Sequence, residues 1–153
     1  MFDMNHLLNG LPEDVTLTFF AAFSRFEYAL MELDFFRGTR RSKIAQETLA
    51  QQLGPSFFAE AEARVPTLVH EPPKQLVVRD GRFEFGEAPS PARDTKDLLG
   101  FAWRVRNNLF HGNKHLPANR ERDERLMQEV LVLIGLILDK IPTLHSVFSE
   151  PQS

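Results

Sequence analysis

Cysteine is absent from all 153 residues, which excludes disulfides and thiolate metal centres and suits a reducing compartment. Aromatic side chains with a polar handle are nearly missing too: one Trp and one Tyr stand against fourteen Phe. The start, Met1-Phe2-Asp3-Met4-Asn5-His6, has neither the basic residues nor the apolar run of a secretory leader. The longest apolar stretch, Val130 to Leu138, is interrupted by Gly135 and falls well short of the ~20 residues that cross a bilayer. There is no excess of positive charge, the net value being −3. Non-specific coating of duplex nucleic acid is therefore excluded, and any contact with nucleic acid must come from a local patch. Together these absences predict a soluble, cytoplasmic protein with no membrane partner.

What is present resembles an ordinary globular chain: 42% hydrophobic and 25% charged residues, of a length that suits one domain spanning residues 1–153. Phe brings bulk without a hydrogen-bonding group, so most of the fourteen belong in a core or a subunit interface. Leu11-Pro12-Glu13-Asp14 opens a helix in which Phe19, Phe23, Phe26, Leu30 and Leu33 form one apolar stripe, and Gly38 is the expected stop. Ser42 is the expected cap of a second helix reaching Leu53, and Pro55 begins a third, shorter one that Pro66 breaks. Thr67 to Lys74 reads as an extended connection. Asp80-Gly81, between Leu76-Val77-Val78-Arg79 and Arg82-Phe83-Glu84-Phe85, is a hairpin signature, because both turn positions need positive φ. A helix from about Asp94 to Gly112, a long one from about Asn119 to Lys140, and a short tail after Pro142 complete the reading. The fold class is mainly α, a helical bundle with a small β-hairpin insertion.

The helix ending at Gly112 carries the most informative run, Arg106-Asn107-Asn108-Leu109-Phe110-His111-Gly112. Leu98, Ala102, Val105 and Leu109 form its core stripe, while Arg104, Asn107, Asn108 and His111 share a polar one. Two adjacent Asn residues are poor helix formers, which suggests a task for that polar face. Arg106 falls among Leu99, Trp103 and Phe110, so its guanidinium should be partly buried and held by a partner. His111 lies in the last turn, where the helix dipole favours the imidazolium and proton transfer near neutrality. Lys114 and His115 follow, with Arg120, Arg122 and Arg125 further on, making the region locally basic. His, Arg and Asn with few carboxylates suit a phosphate-bearing substrate. A plainer reading stands beside this one: a polar helix end with a glycine stop, Arg106 paired to an acid on the first long helix, and His111 capping carbonyls.

At these residues the chain resembles the HEPN superfamily (higher eukaryotes and prokaryotes nucleotide-binding), whose signature is Arg, four to six residues, then His. Arg106, Asn107 and His111 match the four-residue spacing, and Phe23 to Leu30 resembles the first helix of some subfamilies, with Glu27 as the acidic residue near the motif. The resemblance covers about half the chain, leaving the hairpin and the region from Ser42 to Pro91 unmatched. It implies a HEPN-like, metal-independent endoribonuclease of the toxin–antitoxin or defence type, acting on RNA as a homodimer, without cofactor, and regulated by an antitoxin protein. Arg106, His111 and Asn107 would be catalytic, Arg104, Asn108 and Lys114 would bind phosphate, and Glu27 would support them. Asn113 stands where toxins paired with a nucleotidyltransferase carry a modified Tyr, which argues against that form of regulation.

Two further readings differ in class. A non-catalytic HEPN-like nucleotide- or RNA-binding or dimeric interaction module would keep the fold without turnover. A metal-dependent hydrolase would draw on His6, His70, His111, His115 and His145, but Gly112 and Pro117 interrupt the helical spacing of His111 and His115, and no Glu lies between them as in the zinc-protease pattern.

Overall fold

The computed structural model describes residues 1–111 and 119–151. In these residues the chain forms eight helices and one two-stranded hairpin: α1 Met4–Leu8, α2 Glu13–Glu32, α3 Ser42–Leu53, α4 Phe57–Arg64, α5 Pro66–His70, β1 Leu76–Arg79, β2 Arg82–Phe85, α6 Thr95–His111, α7 Arg120–Lys140 and α8 Pro142–Ser149. The mainly-α architecture with a small hairpin is the one the periodicity predicts.

The centre of the molecule is α2 packed along α7. Phe19, Phe23, Phe26 and Leu30 are fully buried on α2, and Val130, Leu133 and Ile137 on α7. α6 adds Trp103, whose ring meets Phe23 edge-on at 5.2 Å and Phe26 at 5.9 Å, a geometry that aligns ring edges with ring faces. Seven of the fourteen Phe are buried (Phe19, Phe23, Phe26, Phe35, Phe36, Phe57 and Phe101), whereas Phe2, Phe83 and Phe110 are exposed.

α2 stops earlier than Gly38. The Asp34 N–H donates to Met31 O and the Phe35 N–H to Leu30 O, with Asp34 at φ 60°. This paired bonding with a left-handed residue is a Schellman closure, for which Gly is the usual occupant. Here Asp34 supplies it, Phe35 folds back into the core, and Leu33 becomes the helix cap, more than a third exposed. In α3, Ser42 is the first helical residue and not the cap; Arg41 occupies the cap position without a side-chain bond.

The helix before Pro66 does end there, at Arg64, but helical structure resumes at once. Pro66 is the first residue of α5, where its missing N–H costs nothing. The carboxylate of Glu129, buried on α7, accepts the Leu68 N–H at 2.9 Å and so satisfies the α5 N-terminus across the core. The extended connection is thus confined to the residues around Pro72 and Pro73, both buried. Pro142 likewise opens α8, bent 118° from α7 and anchored by the fully buried Leu144. Arg25 of α2 holds that helix by donating to the carbonyls of Phe148, at 2.8 Å, and Glu150. Among the described residues no single helix is long and apolar enough to cross a membrane.

The hairpin is antiparallel with Leu76 opposite Phe85 and Val78 opposite Phe83, and Asp80 and Gly81 take φ 51° and 75° at its turn. α6 starts on a reciprocal cap. The Asp94 carboxylate accepts the Asp97 N–H at 2.8 Å, and Asp97 accepts the N–H of Arg93 at 3.0 Å and its guanidinium at 2.9 Å.

Candidate functional site: the C-terminal half of α6

Burial of Leu98, Ala102, Val105 and Leu109 fixes the rotation of α6 and thereby sets two polar flanks. On the flank toward α2, Arg106 lies 3.5 Å from Glu27, with their side chains 32% and 25% exposed. Glu27 is presented there because Phe23, Phe26 and Leu30 commit the adjoining face of α2 to the core. The acid on the first long helix that holds Arg106 is therefore Glu27. The Arg106 guanidinium also lies over the Phe110 ring, 5.4 Å from its centre, and donates to Asn107 Oδ1 at 2.9 Å. A guanidinium held at three points keeps its fork in one plane, which suits it to a phosphate oxygen more than a mobile surface Arg.

On the other flank, Arg104, Asn107, Asn108 and His111 line one cleft of about 310 Å³, closed opposite by α3 and the hairpin. The polar stripe read from the sequence is thus a single surface in the fold, but its members have different tasks. Arg104 donates to the Pro73 carbonyl at 3.2 Å and rests 5.2 Å from the centre of the Phe101 ring. Burial pulls its pKa below the ordinary arginine value, though a guanidinium so far above neutrality stays charged. Asn108, 7% exposed, donates its amide to the Lys74 carbonyl at 2.8 Å. These two side chains tie the connection before β1 to α6. Asn107 and His111 remain exposed, and the His111 ring meets Phe110 edge-on at 5.1 Å. Asn107 links the two flanks, since it lines the cleft and accepts from Arg106.

A second cleft of about 470 Å³ opens on the far side of the Lys74 connection, between Pro72, Phe85, Val105, Leu109 and Leu126. Its walls are largely apolar, and the Arg122 guanidinium at its edge donates to the carbonyls of Glu71 and Pro72. His70, Lys74 and Arg122 also line it, but Arg122 is spent on these carbonyls and His70 faces Glu62. The chemistry is assigned to the smaller cleft because Asn107, which Arg106 bonds, and His111 both line it.

Lys114, with Gly112, Asn113 and His115, lies outside the described residues. His70 is 3.7 Å from Glu62, and among the described residues no three His, Asp or Glu side chains come together as a metal site. Several cleft residues were not anticipated as site residues from the sequence, among them Ser42 and Gln46 of α3 and Phe83 of β2. Only the tertiary packing of α3 and the hairpin against α6 brings them beside His111. Comparison of this chain with protein-family models, with curated proteins and with solved structures finds no match.

Proposed function

We propose that this protein is a metal-independent endoribonuclease of the HEPN type, working as a homodimer. The observation that carries the reading is the chain of contacts from Glu27 through Arg106 to Asn107, which ends at the cleft where His111 is exposed. It leads from a fixed cation to the cleft that also holds an imidazole, two kinds of group that cleavage of RNA without a metal can use. The ribose 2′-oxygen attacks the adjacent phosphorus and its proton passes to a base. The bond from phosphorus to the 5′-oxygen breaks, and that oxygen takes a proton from an acid. The products are a 2′,3′-cyclic phosphate and a 5′-hydroxyl. His111 serves as one of the proton carriers, Arg106 offsets the charge that gathers on the equatorial oxygens, and Asn107 orients them. DNA lacks the attacking hydroxyl and is not cut.

Dimerisation is supported by the outer face of α2. Leu17, Ala21, Ser24, Tyr28 and Met31 are exposed at alternating four- and three-residue steps, with no charged residue among them. That spacing is the seam of a helix that pairs with another helix, and the exposed face of a solvated helix is normally charged. The seam runs beside Glu27, so a second copy packed on it would set two Arg106 and His111 pairs near one another.

The test is cleavage of labelled single-stranded RNA with EDTA present, comparing the wild type with His111→Ala. Cutting by the wild type alone, with cyclic-phosphate ends, supports the enzyme. The other reading, a non-catalytic RNA-binding module, is favoured by the fact that Glu27 already balances the Arg106 charge. It predicts RNA retained uncut by a folded dimer of either protein.

A further inference from the structure

We infer that the cleft between α3, α6 and the hairpin is a subsite for one unstacked nucleobase, with adenine the best match, read by the amide of Gln46. This deepens the ribonuclease proposal and rests on it for the direction in which the base points its phosphate.

Gln46 is the anomaly that leads here. It is 9% exposed and lines the cleft, yet among the described residues no hydrogen bond engages its side-chain amide. Its amide is not one of the sealed polar atoms that lack a partner, so it opens to the cleft and is available to a ligand. The same cleft is lined by one face of Trp103, whose indole N–H is sealed from solvent and does not take part. A side-chain amide open to a cavity and unused by the fold fits a ligand that supplies its partners.

The chemistry of the walls narrows the ligand. Among the described residues no carboxylate lines the cleft; Arg104, Gln46, Gln75, Asn107 and His111 do. An amide offers one donor and one acceptor side by side, the complement of the paired acceptor and donor on the edge of adenine. Phe83 stands at the rim, 51% exposed. An aromatic ring facing solvent on a hairpin contributes little to the core, but it is a platform on which a base stacks for about 1–3 kcal/mol. The volume, about 310 Å³, falls at the small end of ligand clefts, roughly 300–1,000 Å³, which suits one nucleoside and not a helix of RNA. Gly100 keeps the floor open: a β-carbon there would meet Gln46 Oε1 at 3.5 Å, ordinary contact, and any longer side chain would occupy the space of the base. With the base between Gln46 and Phe83, its phosphate lies toward Asn107 and His111 at the other end of the lining.

Trp103 is the chain's single Trp, and because one side of it lines the cleft its fluorescence responds to a ligand there. Adenosine 3′-monophosphate titrated into the wild type should quench it saturably, with cytidine 3′-monophosphate at least several-fold weaker. Gln46→Ala should weaken adenosine monophosphate binding about tenfold and level the preference. Gly100→Leu, a better helix former than Gly, should keep the fold by circular dichroism and abolish binding. His111→Ala should weaken adenosine 3′-monophosphate, whose phosphate lies on that side, and leave adenosine itself bound as in the wild type, which separates base reading from catalysis. Saturable quenching without RNA cleavage upholds the subsite and removes the ribonuclease. RNA cleavage with no quenching by any nucleotide, or with base preference unchanged in Gln46→Ala, overturns the subsite and leaves the ribonuclease standing.

Discussion

At its N-terminal end α6 is held by its own neighbours in sequence, and at its C-terminal end by residues far along the chain. Arg93, Asp94 and Asp97 close a circuit within five residues, whereas Arg104, Arg106 and Asn108 reach Pro73, Glu27 and Lys74. The local circuit stops the helix from fraying and can form before anything else packs. The distant contacts cannot form until α2 and the connection before the hairpin are in place, so they report on tertiary position. Residues that must hold an atom to a fraction of an ångström belong with the second kind, because their supports come from elements the core has already fixed.

Five substitutions test whether the two ends of α6 differ in this way. The largest effect should come from His111→Ala, which lowers RNA cleavage by about 10²–10⁴-fold while the melting temperature stays within a degree or two. Arg106→Ala should cost roughly 100- to 1,000-fold in turnover. A loss of stability there without a loss of turnover would make Arg106 a structural residue like Arg104. Arg104→Ala and Asn108→Ala should act in the opposite sense, each removing a bond that holds the connection before β1. About 1–3 kcal/mol is expected for each, or a few degrees of melting temperature per kcal/mol in a chain of this size. Any effect on cleavage should follow only from a displaced hairpin. The smallest change belongs to the N-terminal end, where Asp97→Asn should cost about 0.5–1 kcal/mol and leave cleavage untouched.

The sign of the acid dependence follows from Asp97. Its bond to Arg93 holds its pKa below the ordinary aspartate value, against the opposing effect of burial. A carboxylate whose folded pKa is depressed contributes stability that is present above its unfolded pKa, about 3.9. That contribution is lost as pH falls through the folded value. Melting curves of the wild type and Asp97→Asn should therefore differ at pH 7 and converge well below pH 4. Curves that stay parallel through that range would assign the cap a role other than charge.

Strong periodicity made α2, α3, α6 and α7 legible before any coordinates, and Asp80-Gly81 made the hairpin so. The misses share a cause. Pro66 and Pro142 do follow the ends of α4 and α7, as read, but the segments after them, taken as an extended connection and a tail, are helices whose buried Leu68 and Leu144 supply the packing. Asp34 hid the end of α2 by adopting the left-handed conformation expected of Gly38. At the candidate site, helical spacing was enough to group Arg104, Asn107, Asn108 and His111. It could not say that two of the four are occupied with the connection before β1. Gln46 was invisible for a different reason. A Gln in a mixed helix looks like a surface residue until α6 is laid across it.

The pairing of α2 with α7 has a consequence for how the protein is made. The ribosome releases Phe19, Phe23 and Phe26 about a hundred residues before the helix that covers them, Arg120–Lys140. The nascent chain therefore carries an uncovered aromatic ridge through most of its synthesis, a surface of the kind that recruits chaperones. Stalled chains ending before residue 120 should be open to protease within α2, and chains extended past residue 140 should become resistant in a single step.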